Sequence, residues 1–413
     1  MELLENAVRP YAWGSRTVIA ELLGEEVPSA HPQAELWLGA HPDDPSRLVH
    51  ADGRRVPLDD ALRAEPQRLL GPERADRWAG TLPFLLKVLA ADEPLSLQAH
   101  PSLAQARAGF TRENAVGLDR SAAERNYRDA NHKPELICAL TEFHALVGFR
   151  DPAATVPLLR ALDVPELNGH AGLLAAQPDA DGLRALFTTW ITLPQSALDQ
   201  LVPALQDGCV RLLGRGDGGG TGDFRTEART ALDLSERYPG DAGVLASLLL
   251  NRVTLAPGEA LFLPAGNLHA YLTGAGIELM ANSDNVLRGG LTPKHVDVPE
   301  LLRVLDFTPA PPPVLRGRPD GDWVRYDAPI EEFLLRRWEG SAGPDDNRST
   351  VAVPDGGPRI LLCTAGSASV AVPGRELDIK RGGSLWLGAD DTEVVLRPGV
   401  EPTQLFLAGD ALA

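Results

Sequence analysis

The chain has 413 residues, of which 57 are Asp or Glu and 39 are Lys or Arg, so it carries a formal charge of −18. Its length predicts two or three packed units, because single cores stop growing at roughly 250–300 residues, and its 40 Gly and 35 Pro point to many turns and short strands. The charge disfavours a nucleic acid or an anionic membrane as partner, the first residues carry acids where a secretion signal needs basic ones, and no apolar run approaches the roughly 18 residues of a membrane span; the expectation is a soluble, cytoplasmic protein.

Cys138, Cys209 and Cys363 lie far apart with no CxxC pair, which predicts three reduced core thiols in place of a disulfide framework or a thiolate metal site. Only four of the 39 basic residues are lysine: Lys87, Lys133, Lys294 and Lys380. Since an ammonium and a guanidinium are not interchangeable, the segments around those four are where a compact cation has been kept.

In chain order, residues 1 to about 150 read as short strands with one or two helices between them. LPFLLKVLA (82–90) is a near-continuous apolar run of buried-strand length. PLSLQAHP (94–101) alternates, with Leu95, Leu97 and Ala99 on one face and Ser96, Gln98 and His100 on the other. Side chains two apart on a strand point the same way, so Gln98 and His100 offer an amide oxygen and an imidazole to one point in space. Alone, the pair does not distinguish a metal clamp from a polar pair on a sheet face.

In NHKPEL (131–136), the residue before Pro134 is pushed toward extended backbone, so Lys133 and Glu135 leave on one side while His132 faces the other way or bends with the turn. Glu135 opens the otherwise apolar strand ELICAL. There its carboxylate is costly unless paired or metal-bound, although an exposed strand end would explain it equally well.

Between about 151 and 250 the period changes to 3.6. Ser196 is the predicted cap of a helix whose stripe is Leu198, Leu201, Val202 and Leu205; further helices are predicted over 226–238 and 241–250. The intervening GRGDGGGTGD (214–223) has no GK[ST] ending and reads as a surface loop, not a phosphate-binding one.

Strand pattern returns over 252–287: RVTL, EALFL, HAYL and IELMANS, with turns at PG, PAGN and Gly-Ala-Gly (274–276). His269 follows one of those turns, where small β-barrels often carry a metal-binding His. Two His, one Glu and one neutral oxygen donor make a four-ligand N/O set that suits zinc and excludes calcium-type cages. The exit segment places Glu278, Asn282, Asp284, Asn285, Arg288 and Lys294 close together; with Lys133, the two cations of that group can form a positive pocket for a small anion, or the segment is an ordinary solvated loop.

A helix is predicted at VDVPELLRVLDF (296–307), and the proline-dense 308–322 marks a linker. The last hundred residues are β-rich again and contain a faint echo: 257–272 aligns without gaps to 381–396, matching Gly258 with Gly382 and Leu261 with Leu385, and His269 with Glu393. The second copy would then lack the ligand.

Together, YAWGS (11–15), AELWLGAHP (34–42), PFLLKVL (83–89), LSLQAHPS (95–102), NHKPEL (131–136), LPAGNLHAYL (263–272) and ELMANSDNVLRGGLTPKHVDV (278–298) closely resemble type I mannose-6-phosphate isomerase, in the family's order, over residues 1–305. The resemblance implies a mainly β, cupin-type double β-barrel (jelly-roll) with a helical insertion. The expected units are a catalytic barrel from 1–150 plus 251–310, the insertion over 151–250, and a second barrel without ligands over 311–413. It implies one zinc per chain on Gln98, His100, Glu135 and His269, with Arg288 the designated catalytic residue. Lys87, His132, Lys133, Asp284 and Lys294 match active-site positions, and Trp13, Ser15 and Glu35 pocket positions.

The activity so implied is interconversion of D-mannose 6-phosphate and D-fructose 6-phosphate through a cis-enediol, feeding mannose catabolism and GDP-mannose synthesis, by a monomer whose only partner is the sugar phosphate. An iron oxygenase of the cupin type and a non-catalytic sugar-phosphate-binding bicupin are the rival classes. Gln98 and the Arg288/Lys294 segment argue against the first, and retention of every ligand against the second.

Overall fold

A computed structural model describes residues 1–215, 223–342 and 350–412. Its organising strand is Phe84–Ala91, buried at every position as the apolar run predicts. Both of its faces are covered: Leu86, Val88 and Ala90 enter one core, Leu89 and Ala91 another. It pairs antiparallel with Glu35–Gly39 on one side and with His269–Ala281 on the other; Glu135–Ala139 and then Ala260–Leu263 continue that layer.

A second layer holds Leu250–Leu255, Phe143–Phe149, the first residues of His269–Ala281, Gln98–Ala99 and Leu287–Arg288. Between the layers lie Leu89, Ile137, Phe143, Val147, Val253 and Tyr271.

The Gly-Ala-Gly segment is not the predicted turn. His269–Ala281 is a single strand of 13 residues that leaves one layer and enters the other, shifting register between Tyr271 and Thr273. Glycine serves the corner and not a reversal: a Cβ on Gly274, at φ +117, would lie 2.5 Å from the Glu142 carbonyl oxygen, so the strand can bend against its neighbour only with no side chain there.

Behind the second layer the helices Pro152–Ala161, Asn168–Ala176, Ala180–Ile191, Gln195–Gly214, Arg225–Arg237 and Ala242–Ser247 bury one large core against Leu97, Ala99, Leu146, Ala270 and Leu287. The Leu198, Leu201, Val202, Leu205 stripe is buried as predicted, but Ser196 is not the cap. The helix begins at Gln195, after Pro194, whose fixed φ and missing N–H suit the position before a helix. Of the glycine-rich stretch, 216–222 lie outside the described residues.

The C-terminal region is β-rich as expected, yet strand pairing crosses the boundary read from the sequence. Glu2–Glu5 pairs with Ser384–Leu387 and with Arg47–Val49, so three N-terminal strands complete the C-terminal sheet. Conversely, Val314–Leu315, inside the predicted linker, extends the first layer beside Ala260–Leu263. The echo holds over its first half: Gly258 (φ +85) and Gly382 (φ +83) turn the chain into Ala260–Leu263 and Ser384–Leu387, after which the copies diverge. All three cysteines are buried free thiols, which burial pushes up to about 11 or 12, as suits inert core residues. No helix among the described residues is long and apolar enough to cross a membrane.

Candidate active site

Strand alternation builds the site. Along His269–Ala281, Ala270 and Leu272 face the helical core while His269 and Tyr271 face the inter-layer space. Ala99 and Leu97 likewise face the helices, leaving Gln98 and His100 on the opposite side. Gln98 lies opposite both His269 and Arg288 in register, so these three side chains share one face. Leu95 departs from the predicted alternation and packs with the inter-layer core. The ladder begins only at Gln98, and before it the chain is held by the Leu95 N–H donating to the Tyr271 carbonyl.

In the first layer Glu135, Ile137 and Ala139 face inward while Leu136 and Cys138 face away. The same face carries Lys87, opposite Glu278 and Trp37 in register. A cavity of about 640 Å³, within the range of small-molecule sites, is lined by Trp13, Glu35, Lys87, Gln98, Arg128, Lys133, Glu135, Tyr271, Glu278, Asp284, Arg288 and Lys294.

At its floor His100, Glu135 and His269 bring one ligand atom each within 4.8 Å of the others, all three buried. His100 Nδ1 donates to the Asn285 carbonyl at 2.8 Å and His269 Nδ1 to the Asn267 carbonyl at 3.1 Å. A carbonyl can only accept, so Nδ1 carries a proton in each ring and Nε2 is the atom turned toward Glu135. Those two nitrogens have no hydrogen-bond partner, yet lie 3.3 and 3.4 Å from the two oxygens of Glu135. Burial pushes the His100 imidazole down to about 4 despite Glu135 beside it, so at neutral pH lone pair faces carboxylate. That contact is repulsive unless a cation joins the donors. The donor set therefore fits a divalent metal such as zinc.

The charges around it are uneven. Lys87 Nζ is 2.9 Å from Glu278 and 3.4 Å from Glu35, and Lys133 Nζ is 3.2 Å from Glu135. Burial works against the Lys87 ammonium, but Glu278, Glu35 and Glu135 outweigh it and keep the group protonated. Lys87 is therefore a fixed charge, not the proton carrier that burial alone would have made it. Three carboxylates face two ammoniums, and burial together with Glu135 and Glu35 pushes the Glu278 carboxyl up despite Lys87. A divalent cation removes that negative excess.

At the mouth the balance reverses. Arg288 and Lys294 are each lowered by burial and then by neighbouring cations, Arg128 for Arg288, and Arg288 and Arg128 for Lys294. Three basic groups thus converge on one pocket wall.

Asp284 is met by His41, which the sequence reading did not single out. His41 Nδ1 accepts the Asp43 N–H, so its proton is on Nε2, 3.2 Å from Asp284. Both ring nitrogens are thereby engaged, which disqualifies the His41, Asp43, Asp284 group as a second metal site. Burial raises the Asp284 carboxyl, but His41, Lys133 and Arg120 hold it at about 2. A carboxyl lowered on folding stabilises fully above its ordinary value of 3.8 and loses that contribution as pH falls toward 2. Asp284→Asn is therefore expected to lower the urea midpoint at pH 7 and to shrink its drop between pH 4 and 2.5; an equal drop in variant and wild type would refute the pairing.

Asn285, fully buried, ties the site together. Its Oδ1 accepts the Arg128 and Asp129 N–H groups at 2.7 and 3.2 Å, and its Nδ2 donates to the Asp129 and Asn131 carbonyls at 2.9 and 2.8 Å. Asn285→Ala orphans these groups and is expected to cost about 2–4 kcal/mol, read as a lower urea midpoint; a change under about 1 kcal/mol would show that water replaces the amide.

Two sequence-predicted residues are not brought to the pocket wall. His132 turns outward, as the Pro134 argument predicts, and pairs with Glu332 at 2.6 Å. Ser15 is buried behind the wall, its Oγ accepting the Thr17 and Val18 N–H groups at a helix start. Trp13 and Glu35 line the cavity, with Glu35 accepting the Trp37 indole N–H at 2.7 Å. Arg128 and Tyr271, whose buried hydroxyl has no partner, line it without having been predicted; surplus arginine hid the first and the HAYL strand reading the second.

A sheet-rich scaffold, a metal-capable His/Glu cluster beside a pocket and a cationic mouth define a class: an enzyme with a metal-capable site open to a small anionic substrate. A family model, phosphomannose isomerase type I, catalytic domain, matches residues 1–152. Mannose-6-phosphate isomerase of Escherichia coli (strain K12) is 39% identical over 401 residues, covering 96% of this chain and 97% of that protein; the Homo sapiens protein of that name is 34% identical, covering 94% and 93%. Among solved structures, a phosphomannose isomerase variant from Salmonella typhimurium superposes with TM-score 0.89 at 36% identity, and a mannose 6-phosphate isomerase bound with zinc and yttrium with 0.88 at 36%, each match covering 100% of both chains. The chain belongs to the type I mannose-6-phosphate isomerases, which are aldose–ketose isomerases.

Proposed function

We propose that the enzyme interconverts D-mannose 6-phosphate and D-fructose 6-phosphate through a cis-enediol, with one zinc per chain held by His100, Glu135, His269 and the amide oxygen of Gln98. The observation that carries this reading is the pair of buried Nε2 atoms, neither with a hydrogen-bond partner, aimed at Glu135. When bound, zinc supplies Lewis-acid stabilisation of the enediolate oxygens without taking a proton.

The chain's own residues do the rest. Arg288 and Lys294, with Arg128 beside them, bind the phosphate and hold the sugar with its reacting carbons toward the floor; Arg288, always cationic, also suits an oxyanion. Asp284, held ionised by His41, is suited to accept a hydroxyl proton at ring opening. Lys133, whose Nζ lies 3.2 Å from Glu135, is the lysine nitrogen nearest the ligand set; as the neutral amine it would take the proton from C2 and, as the ammonium so formed, return it to C1. Lys87 contributes fixed positive charge. His132, bonded to Glu332, acts through the loop that carries Lys133 and Glu135, and Ser15 through the turn behind Trp13.

The fold reading that accompanies this is a cupin-type pair of barrels: a catalytic unit drawn from 1–150 plus 251–310, the helical insertion over 151–250, and a second barrel over 311–413 that lends no ligand, with Glu2–Glu5, Arg47–Val49 and Arg55–Pro57 exchanged into the second unit and Val314–Leu315 into the first. A cytoplasmic monomer feeding mannose catabolism and GDP-mannose synthesis is the setting in which this activity is placed.

The test is a coupled assay for fructose 6-phosphate formed from mannose 6-phosphate. Activity is expected in metal-replete protein, lost on chelation and regained with zinc. A metal-replete protein that forms no fructose 6-phosphate would sink the reading.

A further inference from the structure

We propose that Asp241, in the helical region, is a positioning residue that holds the 289–294 strap in the shape that presents Arg288 and Lys294 to the substrate's phosphate. The inference rests on the reading that those two cations bind the phosphate.

Asp241 is the N-cap of Ala242–Ser247, accepting the Gly243 N–H at 2.6 Å. A cap needs no more than that. The same carboxylate also accepts the N–H of Leu291 at 2.9 Å and of Thr292 at 3.2 Å, on a segment fifty residues further along the chain. Those two N–H groups flank an unusual backbone: Gly290 has φ +116 and Leu291, which is not glycine, has φ +54. An L-residue avoids that region, and Leu291 is 1% exposed in the helical core, so anchored side chain and bonded backbone must together keep it there.

The contact is also tight. A Cβ on Gly243 would lie 2.7 Å from the Leu291 nitrogen, and one on Gly290 2.7 Å from the Gly243 Cα, so the two backbones touch directly. On its other edge the strap is bonded to the segment leading into Gln98: Gly289 N–H donates to Leu97 at 2.7 Å, and Leu97 N–H to Gly290 at 3.0 Å. The strap is thus held between the ligand-bearing ladder and one carboxylate of the helices. Something must hold it, because Arg288 and Arg128 both act on Lys294, and like charges drive each other apart when no anion is bound.

The experiment separates capping from clamping. Asp241→Ser keeps an oxygen for the Gly243 N–H but is too short to reach Leu291 and Thr292. In the zinc-loaded full chain, with far-UV spectrum and zinc content as wild type, KM for mannose 6-phosphate and the inhibition constant of inorganic phosphate are both expected to rise about tenfold, while kcat falls less than about threefold. Asp241→Asn, retaining the oxygen shared by Gly243 and Leu291, is expected to give intermediate values.

Gly243→Ala, which favours the helix but presses on the Leu291 nitrogen, is expected to reproduce the rise and stands in if the serine variant does not fold. Wild-type KM and inhibition constant in both Asp241→Ser and Gly243→Ala, with Lys294→Ala raising them, would overturn the clamp alone. If Lys294→Ala also leaves them unchanged, the phosphate reading falls and the clamp with it.

Discussion

Replacing His269 with alanine is expected to abolish stable zinc binding and to reduce isomerase activity by well over the roughly 10–100-fold that loss of an outer-sphere partner costs a metal site. His269 Nε2 is buried and unpartnered, and its tautomer is fixed by the Asn267 carbonyl. Its strand partner in register is Gln98, so the imidazole, the amide and Glu135 converge from three strands and no neighbouring side chain can substitute.

Zinc per chain, measured by elemental analysis after dialysis, is expected to fall from near one to near zero, and activity is not expected to return in excess zinc. The matched control is Glu393→Ala. Glu393 occupies the aligned position of the C-terminal echo, is exposed, and has left the strand pattern by that point, so zinc content and kcat/KM are expected to stay at wild-type values. A His269→Ala protein that keeps its zinc, or a Glu393→Ala protein that loses it, would show that the wrong half of the echo has been called the metal centre.

How much of this was legible in the sequence follows from the range of each interaction. Period-two alternation correctly put Gln98 and His100 on the face opposite Leu97 and Ala99, because extended backbone itself fixes those directions. Lysine scarcity pointed to the pocket: Lys87, Lys133 and Lys294 all line it. Where the backbone is not a strand, direction is not inherited from spacing, so Leu95 and Ser15 went to other surroundings than their neighbours. The Gly-Ala-Gly misreading has a different origin, since glycine marks both a reversal and a close approach, and only the Glu142 carbonyl 2.5 Å from the absent Cβ distinguishes the two. Pairing of Glu2–Glu5 with Ser384–Leu387 joins segments nearly a chain length apart and leaves no local trace. His41 and Asp241 were missed for the same reason: each is ordinary in its own segment and acquires meaning only from Asp284 or Leu291.

Removing Glu278 is expected to lower stability sharply. Lys87 is 5% exposed and its ammonium lies 2.9 Å from Glu278 but 3.4 Å from Glu35, so Glu278→Ala leaves a buried cation with only its longer ion pair, to Glu35, and an empty space beside it. Breaking one side of a buried pair costs about 3–5 kcal/mol, and the residual attraction of Glu35 and Glu135 for Lys87 places the expectation at the lower end. Replacing both partners is a different matter. With Lys87→Met and Glu278→Leu together, the row becomes continuous with Ile137, which lies opposite Glu278 in register, and with Leu261 beyond it, and no charge is stranded. The double variant is therefore expected to be more stable than Glu278→Ala, with a coupling of about 2 kcal/mol in a double-mutant cycle, while its activity falls because the pocket loses both its fixed ammonium and the acid facing it. Urea midpoints of Lys87→Met, Glu278→Leu and the two combined close the cycle and decide the matter. If the single changes add without coupling, Lys87 and Glu278 do not act as a pair, and the charge on this face is balanced through Glu35 and Glu135 instead.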